Sequence, residues 1–106
     1  MGYAKERGKL EQLLTKIKNI SIYDEKNLAI LVDFHEKYSH TVRILKNKEP
    51  ETFEALYKVE LQSVKDGRKA LKESETDEAK QRNFLVYKAS METALEKTIQ
   101  ATIDSL

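Results

Sequence analysis

Residues 28–45 of the chain read LAILVDFHEKYSHTVRIL. Side chains suited to burial recur there at alternating spacings of three and four: Leu28, Leu31, His35, Tyr38, Val42 and Leu45. This spacing places them on one seam of an α-helix over nearly three heptads. Four further side chains widen the seam: Ile30, Phe34, Thr41 and Ile44. A face of this width predicts a helix with more than one neighbour.

Three other segments carry apolar stripes at helical spacing. The segment from about Tyr3 to Asn19 is marked by Leu10, Leu13, Leu14 and Ile17. The segment that follows Pro50 is marked by Phe53, Leu56, Tyr57, Leu61, Val64 and Leu71. The last segment runs to the C-terminus and is marked by Phe84, Tyr87, Met91, Leu95, Thr98, Ile99 and Ile103. The sequence therefore predicts one short helix and three long ones.

The connectors between these segments carry helix-start signals. Ser21 and Asp24 have the spacing of a capping box, with Ser21 as the first residue. Pro50 suits the first position of a helix, where its missing N–H costs nothing. Residues 74–77, Ser-Glu-Thr-Asp, again supply capping side chains. Gly67 lies within the third helix, where it allows either the close approach of another helix or a kink.

Composition supports the same fold class. Ala, Glu, Lys, Arg and Leu fill about half of the 106 positions, and only three glycines and one proline interrupt them. Short connectors favour antiparallel neighbours. We therefore predict an all-α fold, an up-down antiparallel helical bundle that forms one domain over residues 1–106.

The absence of cysteine excludes disulfides and thiolate metal sites, and it favours a reducing compartment such as the cytoplasm. No apolar run approaches the roughly 20 residues that span a bilayer, so we expect no membrane partner. The chain carries no Gly-rich phosphate loop, nucleophile elbow or zinc signature. We therefore expect a protein without enzymatic activity and without a cofactor.

A basic stripe is the clearest charged feature. Lys65, Arg68, Lys69 and Lys72 recur at i, i+3, i+4 and i+7 on one helix face, where they could contact successive phosphates. The alternative is a solvated face, balanced by the neighbouring acids. No aromatic residues flank the stripe to stack on bases. Nucleic-acid binding is therefore the second interpretation of this chain.

Two histidines allow a further interpretation. Asp33, Glu36 and His40 share a helix face, and carboxylates with an imidazole can bind a divalent metal. A complete site needs more ligands, and no Glu-x-x-His motif occurs elsewhere. His35 lies on the apolar seam and is better explained as a core or interface residue. We likewise expect Tyr38, Tyr57 and Tyr87 in the core, with their hydroxyls in water.

The favoured function is protein–protein interaction, as an adaptor, inhibitor or regulator. We also expect a homodimer or higher oligomer, for which the candidate interface residues are Leu28, Leu31, Phe34, Tyr38, Ile99, Ile103 and Leu106. The second helix has a broad apolar face, and the end of the last helix could project beyond a short first helix. Residues 1–48 carry a net charge of +4 and residues 49–106 one of −3, so two chains could attract each other.

Overall fold

The computed structural model describes residues 2–105, which form four helices and no strand. Helix α1 spans Ala4–Ile17 and α2 spans Glu25–Lys48. Helix α3 runs continuously through an α-helical segment Pro50–Ala55, a π-helical turn Leu56–Glu60 and an α-helical segment Leu61–Lys72. Helix α4 spans Asp77–Asp104.

Contacts between helix ends establish an antiparallel order. Arg7, at the start of α1, donates hydrogen bonds to the side chain and carbonyl of Thr102, near the end of α4. At the opposite end of the bundle, Gln81 near the start of α4 bonds the backbone of the α1–α2 connector. Lys97 on α4 pairs with Glu60 on α3. The predicted up-down bundle of one short and three long helices is confirmed.

Capping side chains set two of the helix starts. The carboxylate of Asp24 accepts the backbone N–H of Asn27, so Asp24 is the N-cap of α2. Ser21 does not cap this helix, because α2 begins only at Glu25. The predicted cap within residues 74–77 is confirmed, since Thr76 accepts the N–H of Ala79. Pro50 occupies the first turn of α3, as expected.

The core lies along the axis of the bundle and contains a side chain from every helix. Its largest fully buried members are Tyr38, Tyr87, Phe53, Phe84, Leu10, Ile17, Leu31, Leu45, Leu61, Met91, Leu95 and Val42. Tyr3 and Ile20 lie just outside the two ends of α1 and are also buried. Because of these two residues, the segment that packs on the core is longer than α1 itself.

Helix α3 changes its main neighbour along its length. Its first segment packs mainly on α2, the π-helical turn lies against both α2 and α4, and Leu61–Lys72 packs mainly on α4. At Gly67 a Cβ atom would lie only 3.1 Å from the Cα of Tyr87, so this glycine permits close approach and does not mark a kink. Because α3 leaves α2 after the π-helical turn, the second half of α3 and the first half of α2 are separated by an open groove.

Candidate functional site

The α2–α3 groove consists of two adjoining clefts. The first has a volume of about 640 Å³ and is lined by His35, Lys65, Arg68, Lys69, Lys72 and Glu73. The second has a volume of about 370 Å³ and is lined by Tyr23, Leu28, Val32, Arg68, Leu71, Lys72 and Lys80. Arg68 and Lys72 belong to both clefts, so the two form one surface.

The α3 wall of the groove is cationic. The structure places all four residues of the predicted basic stripe on it, and Lys80 of α4 adds a fifth cation. Lys65, Lys69 and Lys72 are exposed, whereas Arg68 is half-buried. Glu73 is the single acidic residue among those that line the groove. A positive potential should therefore extend along this wall and attract anionic groups.

The opposite wall is largely apolar. Leu28 and Val32 of α2 are half-buried, as is Tyr23 in the connector that precedes this helix. All three side chains pack against the core, and each leaves part of its surface in the groove. The groove therefore combines an apolar wall with a cationic one.

A buried hydrogen bond lies at the floor of the first cleft. Nδ1 of His35 lies 2.8 Å from the hydroxyl of Tyr87, and the two rings meet edge to face with centroids 5.7 Å apart. His35 is only 6% exposed, which confirms its prediction as a core residue. The hydroxyl of Tyr87 does not reach water as expected from the sequence, because its phenol is fully buried and bonded to His35.

The hydrogen bond between these two residues determines which ring nitrogen of His35 carries the proton. The buried hydroxyl of Tyr87 has no other acceptor among residues 2–105, so we assign it as the donor to Nδ1 of His35. The ring proton then resides on Nε2. Within the described residues no buried side-chain nitrogen or oxygen lacks a partner, so Nε2 is accessible to water. His35 lines the groove, so in this tautomer its Nε2–H is available there as a hydrogen-bond donor.

His35 is neutral at physiological pH. Burial, together with the positive charges of Arg68 and Lys65, lowers the pKa of this imidazole from 6.5 to about 4. Burial also raises the pKa of Tyr87 well above its ordinary value. The pair therefore supplies the groove with a polar donor that carries no charge.

The acidic residues proposed as metal ligands do not form a metal site. Asp33, Glu36 and His40 line a different cleft, between α1 and α2. Asp33 is held by an ion pair with Lys37 at 2.9 Å. Among residues 2–105, no three His, Asp or Glu side chains converge closely enough to hold a metal ion.

The predicted interface residues are dispersed. Leu31, Phe34 and Tyr38 are buried within the monomer, because α1, α3 and α4 cover most of α2, so they are not part of an accessible surface. Leu28 and Ile99 are half-buried, and Ile103 is exposed. Leu106 lies outside the described residues. The structure brings together Leu28 and the basic stripe, which the sequence treated as unrelated.

Sequence reasoning missed three residues of the site and one buried hydrogen bond. Tyr23, Val32 and Lys80 belong to the groove, yet no local pattern distinguishes them from other partly exposed helix residues. The bond between His35 and Tyr87 joins residues 52 positions apart, which no spacing rule connects. A signal existed only for His35, because a polar side chain on an apolar seam requires a hydrogen-bond partner.

Comparisons with known proteins provide no further information about the site: no family model, curated protein or solved structure matches this chain. Among residues 2–105, no helix combines the length and the hydrophobicity needed to cross a bilayer.

Proposed function

We propose that the protein is a non-catalytic interaction module that binds an acidic, amphipathic helix of a partner protein in the α2–α3 groove. The observation that carries this proposal is the difference between the two walls. Lys65, Lys69 and Lys72 are exposed on one side, and Leu28 and Val32 leave part of their apolar surface on the other.

The chemistry of the walls defines the partner segment. An amphipathic helix presents apolar side chains on one face and charged ones beside it, so a single helix can meet both walls. Its carboxylates would face the α3 cations, and its apolar side chains would cover Leu28 and Val32. Half-buried Arg68 stands where the two clefts join, and its planar guanidinium can bind a carboxylate through two hydrogen bonds.

A synthetic peptide tests this function. The probe is a fluorescein-labelled amphipathic helix with Leu at i, i+4 and i+7 and Glu along one flank. Fluorescence anisotropy should show saturable binding that Lys69→Glu and Val32→Asp both weaken. The matched control is Lys5→Glu, an exposed charge reversal on α1 away from the groove. Equal binding of a scrambled peptide with the same charge would contradict the proposal, because the apolar wall would then contribute nothing.

Nucleic-acid binding is the second candidate function. Lys65 and Lys72 are seven residues apart, which is about 10 Å along a helix, and the exposed Lys69 lies between them. Cations at this spacing can contact phosphates but cannot read bases. A random-sequence DNA duplex should then bind weakly and lose affinity steeply as salt is raised. If the duplex binds more tightly than the peptide at physiological salt, nucleic acid becomes the preferred ligand.

We further propose that the protein self-associates and acts in the cytoplasm, a location that its lack of cysteine favours. Light scattering over a concentration series tests the first point. A mass that rises above the 12.3 kDa of the monomer supports it, and a constant monomer mass contradicts it. Fluorescence microscopy of the tagged chain in its source cell tests the second point.

A further inference from the structure

The outer face of α4 exposes apolar side chains that no other helix covers. Leu85 and Val86 are 43% and 50% exposed, and Ala89 beside them is also exposed. These three residues line a shallow surface cleft together with Glu78, Gln81 and Arg82. Exposed apolar residues that adjoin along one helix favour contact with another protein surface.

Two charged residues lie at equal distances on either side of Ala89. Arg82 precedes Ala89 by seven residues, and Glu96 follows it by seven, which is two helical turns in each direction. Both side chains are exposed on the same face as Ala89. Neither takes part in an ion pair among residues 2–105. The face therefore carries an available cation and an available anion at equal distances from a small central residue.

We propose that two copies of this chain associate through the outer faces of their α4 helices, antiparallel, with the two-fold axis beside Ala89. A two-fold axis at this position brings each Arg82 to the level of Glu96 of the partner subunit. The same patch thus meets itself in reverse, as a symmetric dimer requires. This inference rests on the self-association part of the proposed function and assigns it a surface.

The three central residues have distinct roles in this dimer. Ala89 is small, so the two helix backbones can approach closely where they cross. Leu85 and Val86 lie one turn away, at the level of Thr93 and Glu92 of the partner subunit, and these side chains cover part of their exposed apolar area. One helix from each subunit buries less than the roughly 800 Å² per partner of a standard interface. We therefore expect dissociation at micromolar rather than nanomolar concentrations.

A charge exchange tests the proposal directly. Arg82→Glu places two carboxylates opposite each other at both ends of the interface, and Glu96→Arg does the same with two cations. Sedimentation velocity over a concentration series should show each single variant dissociating at roughly tenfold higher concentration than the unaltered chain. The double variant, Arg82→Glu with Glu96→Arg, should regain the original affinity because opposite charges face each other again.

Two further variants serve as a strongly disrupting substitution and as a control. Ala89→Arg places two cations beside the axis and should abolish dimerisation. Glu11→Arg, a charge reversal on the exposed side of α1, should change nothing. Because all these positions are exposed, circular dichroism should show the same helix content in each variant.

The outcomes separate this inference from the proposed function. If the unaltered chain is monomeric at all concentrations, self-association and this interface both fail. If it dimerises but the single charge reversals have no effect, or the double variant does not recover, only this interface is wrong. Binding of the acidic peptide is measured separately and depends on the α2–α3 groove.

Discussion

The hydroxyl of Tyr87 lies 2.8 Å from Nδ1 of His35, which joins α4 to α2 at the floor of the groove. Both side chains are buried, so this bond ties the floor of the candidate binding site to the core. A change in the charge of His35 should therefore affect the stability of the fold.

The first prediction concerns pH. Since burial lowers the pKa of His35 from 6.5 to about 4, the unfolded chain binds a proton at a higher pH than the folded chain. The free energy of unfolding should therefore fall as the pH is lowered from about 6.5 to about 4. Urea titrations of the unaltered chain and His35→Gln measure this contribution, because the other titrating groups are common to both. An equal pH dependence in the two proteins would contradict it.

The second prediction concerns Tyr38, another buried tyrosine. The Thr98 hydroxyl donates to the carbonyl of Ala94, so its oxygen accepts from Tyr38 at 3.0 Å. Tyr38→Phe leaves no buried group unpaired and should cost about 0.5–1.5 kcal/mol. Thr98→Val leaves the Tyr38 hydroxyl without an acceptor and should cost more, about 1–3 kcal/mol. Urea unfolding of both variants tests this order, and a reversed order would show that the bonding is assigned wrongly.

The third prediction compares two glycines. Gly8 has nothing near the position that a Cβ would take, so Gly8→Ala should stabilise α1 by about 0.5–1 kcal/mol through helix propensity. At Gly67 the new methyl would lie 3.1 Å from the Cα of Tyr87, which is backbone and cannot rotate away. Gly67→Ala should therefore destabilise the bundle by about 1–3 kcal/mol despite the same gain. Thermal unfolding of both variants tests the opposite signs.

The fourth prediction concerns the α1–α2 connector. The Gln81 side chain accepts the N–H of Tyr23 at 2.7 Å and donates to the carbonyl of Ser21 at 3.2 Å. Gln81→Ala removes both bonds and should cost about 1–2 kcal/mol. Hydrogen exchange at the Tyr23 amide should accelerate, whereas exchange in the middle of α4 should change much less. Unchanged protection at Tyr23 would contradict this role.

The sequence predicted the fold more completely than the site. Helix number, order and most boundaries followed from the spacing of apolar residues, because a helix repeats its environment every three to four positions. The start of α2 was wrong by a few residues, since Ser21 and Asp24 both have capping side chains and only the backbone determines which one is used. The π-helical turn at Leu56–Glu60 left no signal in the sequence.

The site could be predicted only in part. The spacing of Lys65, Arg68, Lys69 and Lys72 placed them on one face, and the structure retains that face. Spacing could not show that this face borders a groove, because the opposite wall comes from Leu28 and Val32, more than thirty residues away. It likewise could not show that Leu31 and Tyr38 are covered within the monomer.

The sequence by itself determined that this protein is a helical bundle, because hydrophobic period, capping residues and the scarcity of breakers are local properties that each helix carries in its own residues. Only the tertiary structure decided where the α2–α3 groove lies. That depends on α3 passing from α2 to α4 after its π-helical turn, and on Gly67 lying against Tyr87. Such contacts join residues distant in the chain, and the packing of whole helices determines them.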